Sequence, residues 1–553
     1  QAVWEGNRLD VSRLQATCDV GQFSAEGTLL EPQQVAAITS VADLAGALSG
    51  SSGEVAGNID LAKLARLLPR SIGLKSGVQL TAGSLSWQIS GKDIGGQPSY
   101  SGTVDASKLV AQAKGRQLTW ESPLHASFAA HGKGRAAVLD QLQCQSDFVA
   151  LTAQGDVHSL QASGKYDLGR LCDQLGQFVD LGTRRIDGQG AFSANYQGDA
   201  AGAFNAAAQF NLDQFQMTVA GNPWTDQAWT LAAQVNGRLP AGKPLSVNAA
   251  QITGQFGSDQ VSVKLAPGPV TVMPDGVFIP IVAHVTGQAG TWLTRAQALG
   301  GVLPGVAAAG QIDLQVSARC SQTPTIIIDS AVLTSQPLEF RSPQLALEES
   351  EGRLEASGRV ELAGRSASGW KARLQTTSFS ADLADGAYAW APGQQGLSGA
   401  VDFAGDLVRL QNSLGLTGGA WRVGGMLSGK GTIRQSGSAS AIDMTAGIDN
   451  LIGSPAQGQA IAAGKVALAV KGDYDRAADT LRLAACNLSC PLMVFEASGT
   501  IQQAASRPTV DLSGRWEYDL ETLTALLQPK FGNNIQLSGH EARSFRLQGP
   551  LVA

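Results

Sequence analysis

Residues 163–190 read SGKYDLGRLCDQLGQFVDLGTRRIDGQG, a stretch of helical spacing set between runs of strand-like alternation. Asp167 is followed by Leu168, Leu171 and Leu175, and spacings of three and four place these leucines on one helical face. Asp167 is a natural N-cap, because its carboxylate accepts a backbone N–H left free in the first turn, and Gly176 stands where the helix is expected to stop. A helix this short is marginal alone in water, so its leucines must pack on an apolar platform, and the adjoining sheet is the expected one.

The same grammar recurs. Asp60 precedes Leu61, Leu64, Leu68 and Pro69; Asp406 precedes Leu407, Leu410, Leu414 and Gly415; Asp519 precedes Leu520, Leu523, Leu527 and Pro529. A weaker copy begins at Thr291, with Trp292, Leu299 and Gly300, where Arg295 breaks the middle apolar position. The caps at 60, 167, 291, 406 and 519 lie 107, 124, 115 and 113 residues apart. A repeat is therefore expected, dividing the chain into 1–100, 101–205, 206–320, 321–440 and 441–553, with helices near 60–68, 167–175, 291–299, 406–414 and 519–527.

A glycine-bearing strand is expected after each helix: GVQLTAGSLSW from Gly77, RIDGQGAF from Arg185, VAAAGQIDL from Val306, GMLSGKGTI from Gly425 and NIQLSGHEARSF from Asn534. Ahead of the helix a glycine recurs at Gly57, Gly164 and Gly514. Elsewhere the pattern is period two. Leu85, Trp87 and Ile89 alternate with Ser86, Gln88 and Ser90, and Phe204, Ala206, Ala208, Phe210 and Leu212 alternate mostly with polar residues. Such strands have one dry and one wet face, the mark of antiparallel sheet. With about seven strands per copy, roughly 35 strands would run about 150 Å, and twist excludes one flat sheet of that size. The fold expected is mainly β: an elongated repeat-built antiparallel sheet curled into a β-groove, with one short amphipathic helix per repeat. A solenoid or a string of small β-modules fits the same pattern.

Composition narrows the function. Charged residues make up 16% of the 553, and the net charge is -6, with no run of Lys or Arg, which disfavours nucleic acid as a partner. Six scattered cysteines are too few for a disulfide framework, and Cys486 and Cys490 would stand about 13 Å apart in an extended strand. No apolar run reaches a membrane span. An amino-terminal signal or anchor, or further sequence, is expected outside the residues given.

Catalytic patterns dissolve on inspection. GGMLSGKGT has phosphate-loop spacing, but Gly431 stands where Ser or Thr must reach magnesium, and Gly429 and Lys430 align with Gly188 and Gln189 of the second copy. Ser368 and Lys371 form an S-x-x-K pair in strand-like surroundings. His125 and His131, the nearest histidines, would share a strand face about 20 Å apart, too far for one metal. The aspartates at helix starts are explained by capping, and Cys144 and Cys486 as small core residues. No enzyme activity, cofactor or metal is expected.

The apolar strand faces remain. They make either a dry core or a hydrophobic trough open to acyl chains, and binary pattern alone does not separate the two. The groove-lining candidates are Leu85, Trp87, Ile89, Phe204, Phe210, Leu212, Leu354, Val360, Leu362, Val466, Leu468 and Val470.

AGNIDLAKLARLLP, SGKYDLGRLCDQLGQFVDL and SGRWEYDLETLTALL, with the following h-x-G-x-G strands (h apolar), resemble the AsmA-like and TamB-like envelope proteins, and in detail the AsmA-like repeats of planctomycete-type bacteria. The resemblance covers residues 14 to 549. It implies a bridge-like lipid-transfer protein of the bacterial periplasm or cell envelope, anchored by an amino-terminal segment absent from this chain. Its expected partner is a phospholipid or another acyl-chain lipid, with membrane proteins as further partners. Two alternatives stand beside it: a sealed β-repeat scaffold or surface protein with protein partners, and a polysaccharide-active β-solenoid enzyme. The latter lacks the clustered carboxylates and exposed aromatics such a site needs.

Overall fold

A computed structural model describes residues 2–5, 8–30, 52–68, 74–94, 97–107, 109–113, 115–132, 136–181, 185–219, 222–239, 245–267, 271–273, 276–300, 305–321, 325–342, 346–390, 396–416, 421–455, 461–504, 508–521, 524 and 538–550. The fold is mainly β. Most strands follow one another as an antiparallel meander, hydrogen-bonded to their neighbours in sequence, and the sheet does not close into a barrel. The chain divides into two compact units, residues 1–262 with 295–301, and residues 263–294 with 302–553.

The helices stand at repeat spacing: Leu61–Leu67, Leu168–Phe178, Ala289–Gly300 and Leu407–Ser413. Asp60 accepts from the Lys63 N–H at 3.0 Å, Asp167 from Arg170 at 2.8 Å and Asp406 from Val408 at 2.9 Å, so the caps hold these first turns as their chemistry requires. Asp519 likewise accepts from Glu521 at 3.0 Å, while Leu523, Leu527 and Pro529 lie outside the described residues, as does Pro69.

Three details differ from the sequence reading. The third helix begins at Ala289, so Thr291 lies inside it. The second continues through Gly176 to Phe178, whose buried ring extends the packed face by one turn. In the first helix the buried stripe is Ala62 and Ala65, and Leu68 ends the helix half exposed.

After each helix a glycine adopts positive φ: Gly83 (147°), Gly188 (138°), Gly310 (116°), Gly425 (137°) and Gly539 (134°). At Gly188, Gly310 and Gly425 the strand register shifts by a residue, a bulge that bends the strand. A Cβ on Gly310 would stand 1.7 Å from the Pro337 carbonyl oxygen, so no side chain fits there. The counterpart of Gly188 in the fourth copy is therefore Gly425 by conformation, not Gly429. In the first copy this glycine divides what reads as a single strand. Val78–Ala82 joins a separate sheet with Leu109–Ala113 and Arg116–Trp120, and Ser84–Ile94 enters the main meander.

Two dry clusters sit at the helices. Ala62, Ala65, Leu80, Ala111 and Phe178 form one buried cluster, and Leu212, Phe215, Trp224 and Ala298 another. Among the described residues, more large hydrophobic side chains are exposed than are buried.

Candidate functional site

Directly opposed residues on neighbouring strands share a face, so the pairing registers show what each face is made of. In the first unit one row crosses thirteen strands: Leu14, Ala25, Val55, Ile89, Gly102, Phe128, Leu142, Ala153, Ala162, Ala194, Ala208, Ala233 and Ile252. No member is polar. The row two residues further along, from Ala16 through Trp87, Phe192 and Phe210 to Leu231 and Gly254, is equally apolar. At about 4.8 Å per strand each row runs roughly 58 Å.

The second unit repeats this with different residues. Val285, Leu314, Leu333, Leu354, Leu374, Ala381, Phe403, Gly429, Ala446, Leu468, Leu488, Phe495 and Trp516 follow one another in register across thirteen strands. Gly429 and Lys430, the phosphate-loop residues, fall inside the strand Trp421–Ser436, and Ser368 and Lys371 inside Ser366–Thr376.

These faces are only partly covered. Phe210 is 43% exposed, Ile252 52% and Trp516 44%. Five successive alanines, from Ala153 to Ala233, form a floor between taller neighbours. Leu151, Phe192, Phe210 and Leu231 stand on one side, and Leu160, Tyr196 and Val235 on the other. A hollow of about 280 Å³ opens over this floor, lined by Leu160, Ala194, Tyr196, Ala208 and Val235 among others. The rings lie flat because glycines make room across the strand. A Cβ on Gly57 would stand 2.2 Å from the Trp87 ring, and one on Gly164 2.6 Å from the Phe192 ring. That close approach accounts for the glycine ahead of the first two helices.

Of the residues singled out by sequence, Trp87, Ile89 and Phe210 lie in the first unit's rows, and Leu354 and Leu468 in the second unit's row. Val470 joins the neighbouring row between Met444 and Cys486. Leu85 (opposite Ala106), Phe204 (its ring 6.1 Å from that of Tyr196), Val360 (opposite Ile326) and Val466 (opposite Ile448) continue the same faces. Two are corrected. Leu212 is 7% exposed, sealed in a cluster with Ala298, so it is core rather than lining. Leu362 lies beyond the strand Gly352–Glu361 in a turn, 51% exposed. Of the alanine floor, sequence reasoning placed Ala208 on an apolar face but did not assemble the row, and it passed over Phe192, Tyr196 and Phe495, because such rows emerge only from register.

The helix end is closed electrostatically as well as by packing. Arg295 donates to Asp226 through Nε (3.2 Å) and Nη2 (3.1 Å) and to Asp259 through Nη1 (2.7 Å). The indole N–H groups of Trp224 and Trp229 donate to Asp226 at 2.7 and 2.9 Å, and the guanidinium lies 5.2 Å from the Phe256 ring centroid. Burial pushes the Asp226 carboxyl up, but these hydrogen bonds outweigh it and hold it below the usual carboxylate range. In the second unit Glu349, also buried, accepts from the hydroxyls of Ser378 and Thr377; burial raises its carboxyl and the hydroxyls bring it below its ordinary value.

Four histidines pair with a carboxylate: His125 with Asp105 (2.6 Å), His131 with Asp140 (2.8 Å), His284 with Asp313 (3.1 Å) and His540 with Glu517 (3.9 Å). Among the described residues no group of three or more His, Cys, Asp or Glu is placed to hold a metal, and no helix is long and apolar enough to cross a membrane. The six cysteines are free. The sequence matches no family model and no curated protein.

Proposed function

We propose that this chain is a non-enzymatic bacterial envelope protein that binds phospholipid acyl chains along the apolar sheet face, as the AsmA-like resemblance of its repeats implies. The observation that carries the reading is the uninterrupted apolar row in each unit, left half-buried or exposed over its middle strands. A face destined for water does not keep thirteen successive strands free of polar side chains, and contiguous exposed apolar surface of this kind marks a lipid or ligand site. Dry-core packing accounts for the helix end, where Leu212 and Phe215 are buried, and not for Phe210 or Ile252.

Binding on this reading is passive. Burial contributes about 0.8 kcal/mol per methylene, so covering half the surface of a fourteen-methylene chain yields roughly 5–6 kcal/mol. Apart from the indole N–H groups of Trp87 and Trp516, the rows carry no strong hydrogen-bonding side chain, and none stands on the alanine floor, so a bound chain slides along it.

The test is mass spectrometry of lipid that co-purifies with the protein from its native membranes in mild detergent, against a soluble β protein of similar size. Several phospholipids per chain, lost in Phe210→Asp and Leu468→Asp while thermal unfolding is unchanged, are expected. Lipid no higher than the control would leave the sealed scaffold as the better account.

A further inference from the structure

The opposite, wet face of the first unit carries a hollow of about 800 Å³ spread over the six strands from Val138–Ser146 to Asn222–Arg238. We propose that it binds a neutral, hydroxyl-rich oligosaccharide. The inference does not rest on the acyl-chain reading, since the polar side chains that carry it alternate along each strand with the alanines of the apolar row, five of which also border this hollow.

The lining is the first argument. One row across the hollow reads Gln143, Thr152, Ser163, Ser193 and Gln209 in register, and Gln154, Gln161 and Asn195 form a second row beside it. Asp140 is its one charged member. The equivalent row of the second unit reads Arg373, Asp382, Asp402, Lys430 and Thr445, with Arg373 3.5 Å from Asp382. Mixed charge of that kind keeps a sheet face solvated and discourages misassociation. The first unit dispenses with it over this hollow.

Bonding capacity is the second argument. Thr152 and Ser163 pair with each other at 3.2 Å, but the amides of Gln143, Gln154, Gln161, Asn195 and Gln209 hydrogen-bond to no described residue. Each presents two donors and an acceptor, repeated about every 4.8 Å from strand to strand. That array matches sugar hydroxyls, which both donate and accept. Phosphate or an acidic glycan would require a cation that the lining lacks, and an extended peptide would seek a sheet edge rather than a face.

The test is calorimetric titration of the full chain with cellohexaose, maltohexaose and chitohexaose. One of the three is expected to bind with Kd below about 1 mM, and to weaken about tenfold in Gln161→Ala and in Gln209→Ala, both exposed and therefore safe for folding. Phe210→Asp, on the other face, should leave that affinity unchanged. Absence of saturable binding of all three sugars up to about 10 mM, or binding indifferent to both glutamine variants, overturns the proposal.

Discussion

Arg295 Nη1 donates to Asp259 Oδ2 across 2.7 Å, and both side chains are almost wholly out of water, at 4% and 2% exposed. By sequence, Arg295 interrupts the apolar stripe of the third helix; in the fold it anchors the last turns of that helix to strands 36 and 69 residues upstream. Removing one partner of a buried ion pair strands the other, so Arg295→Ala is expected to destabilise the first unit by about 3–5 kcal/mol in urea unfolding. Arg170→Ala removes an arginine that is 64% exposed from its pair with Asp167 and should change stability by less than about 1 kcal/mol in the same assay.

Acid should loosen this anchor and, in the second unit, the buried Glu349 site. Asp226 and Glu349 both have folded pKa values below their unfolded ones. Each therefore contributes stability that is present above the unfolded carboxylate range and is lost as pH falls through the folded value. Urea midpoints should be flat near neutrality and fall below about pH 4. Asp226→Asn should flatten part of that fall and lower the neutral-pH midpoint.

Gly57 and Trp87 form a pair whose coupling is measurable. Gly57→Ala places a methyl against the indole and is expected to cost about 1–3 kcal/mol. In a Trp87→Leu background the same substitution should cost clearly less, because the shorter side chain leaves the space. A double-mutant cycle reads the difference, and additive effects would show that the ring does not occupy that site.

The helix caps give a smaller effect. Asp167→Ala removes the acceptor for the Arg170 N–H and should lower stability by about 1 kcal/mol, with Asp167→Asn close to neutral. Thermal unfolding of the two variants side by side checks this.

What the sequence discloses, and what it withholds, follows from range. Period two is exact, so the alternation at Leu85, Trp87 and Ile89 assigns their common face without any knowledge of neighbours. Capping is local, so Asp60, Asp167, Asp406 and Asp519 announce four helix starts; the third copy lacks such a carboxylate, and its cap position is misplaced by three residues. Register is long-range. That Ala194 stands opposite Ala208 and Ala162, or that Leu212 is sealed beside Ala298, depends on pairings the chain settles only when folded. Hence the apolar faces are legible as faces, while the alanine floor, the buried status of Leu212 and the role of Arg295 are not.

The most direct test uses two adjacent residues on opposite faces. Benzoylphenylalanine placed at Phe210, on the apolar row, or at Gln209, on the wet row, is irradiated in native membranes and the protein's adducts are weighed. A phospholipid-sized adduct is expected at 210 and none at 209. No lipid at 210, or equal labelling at both positions, would contradict acyl-chain binding along the apolar face.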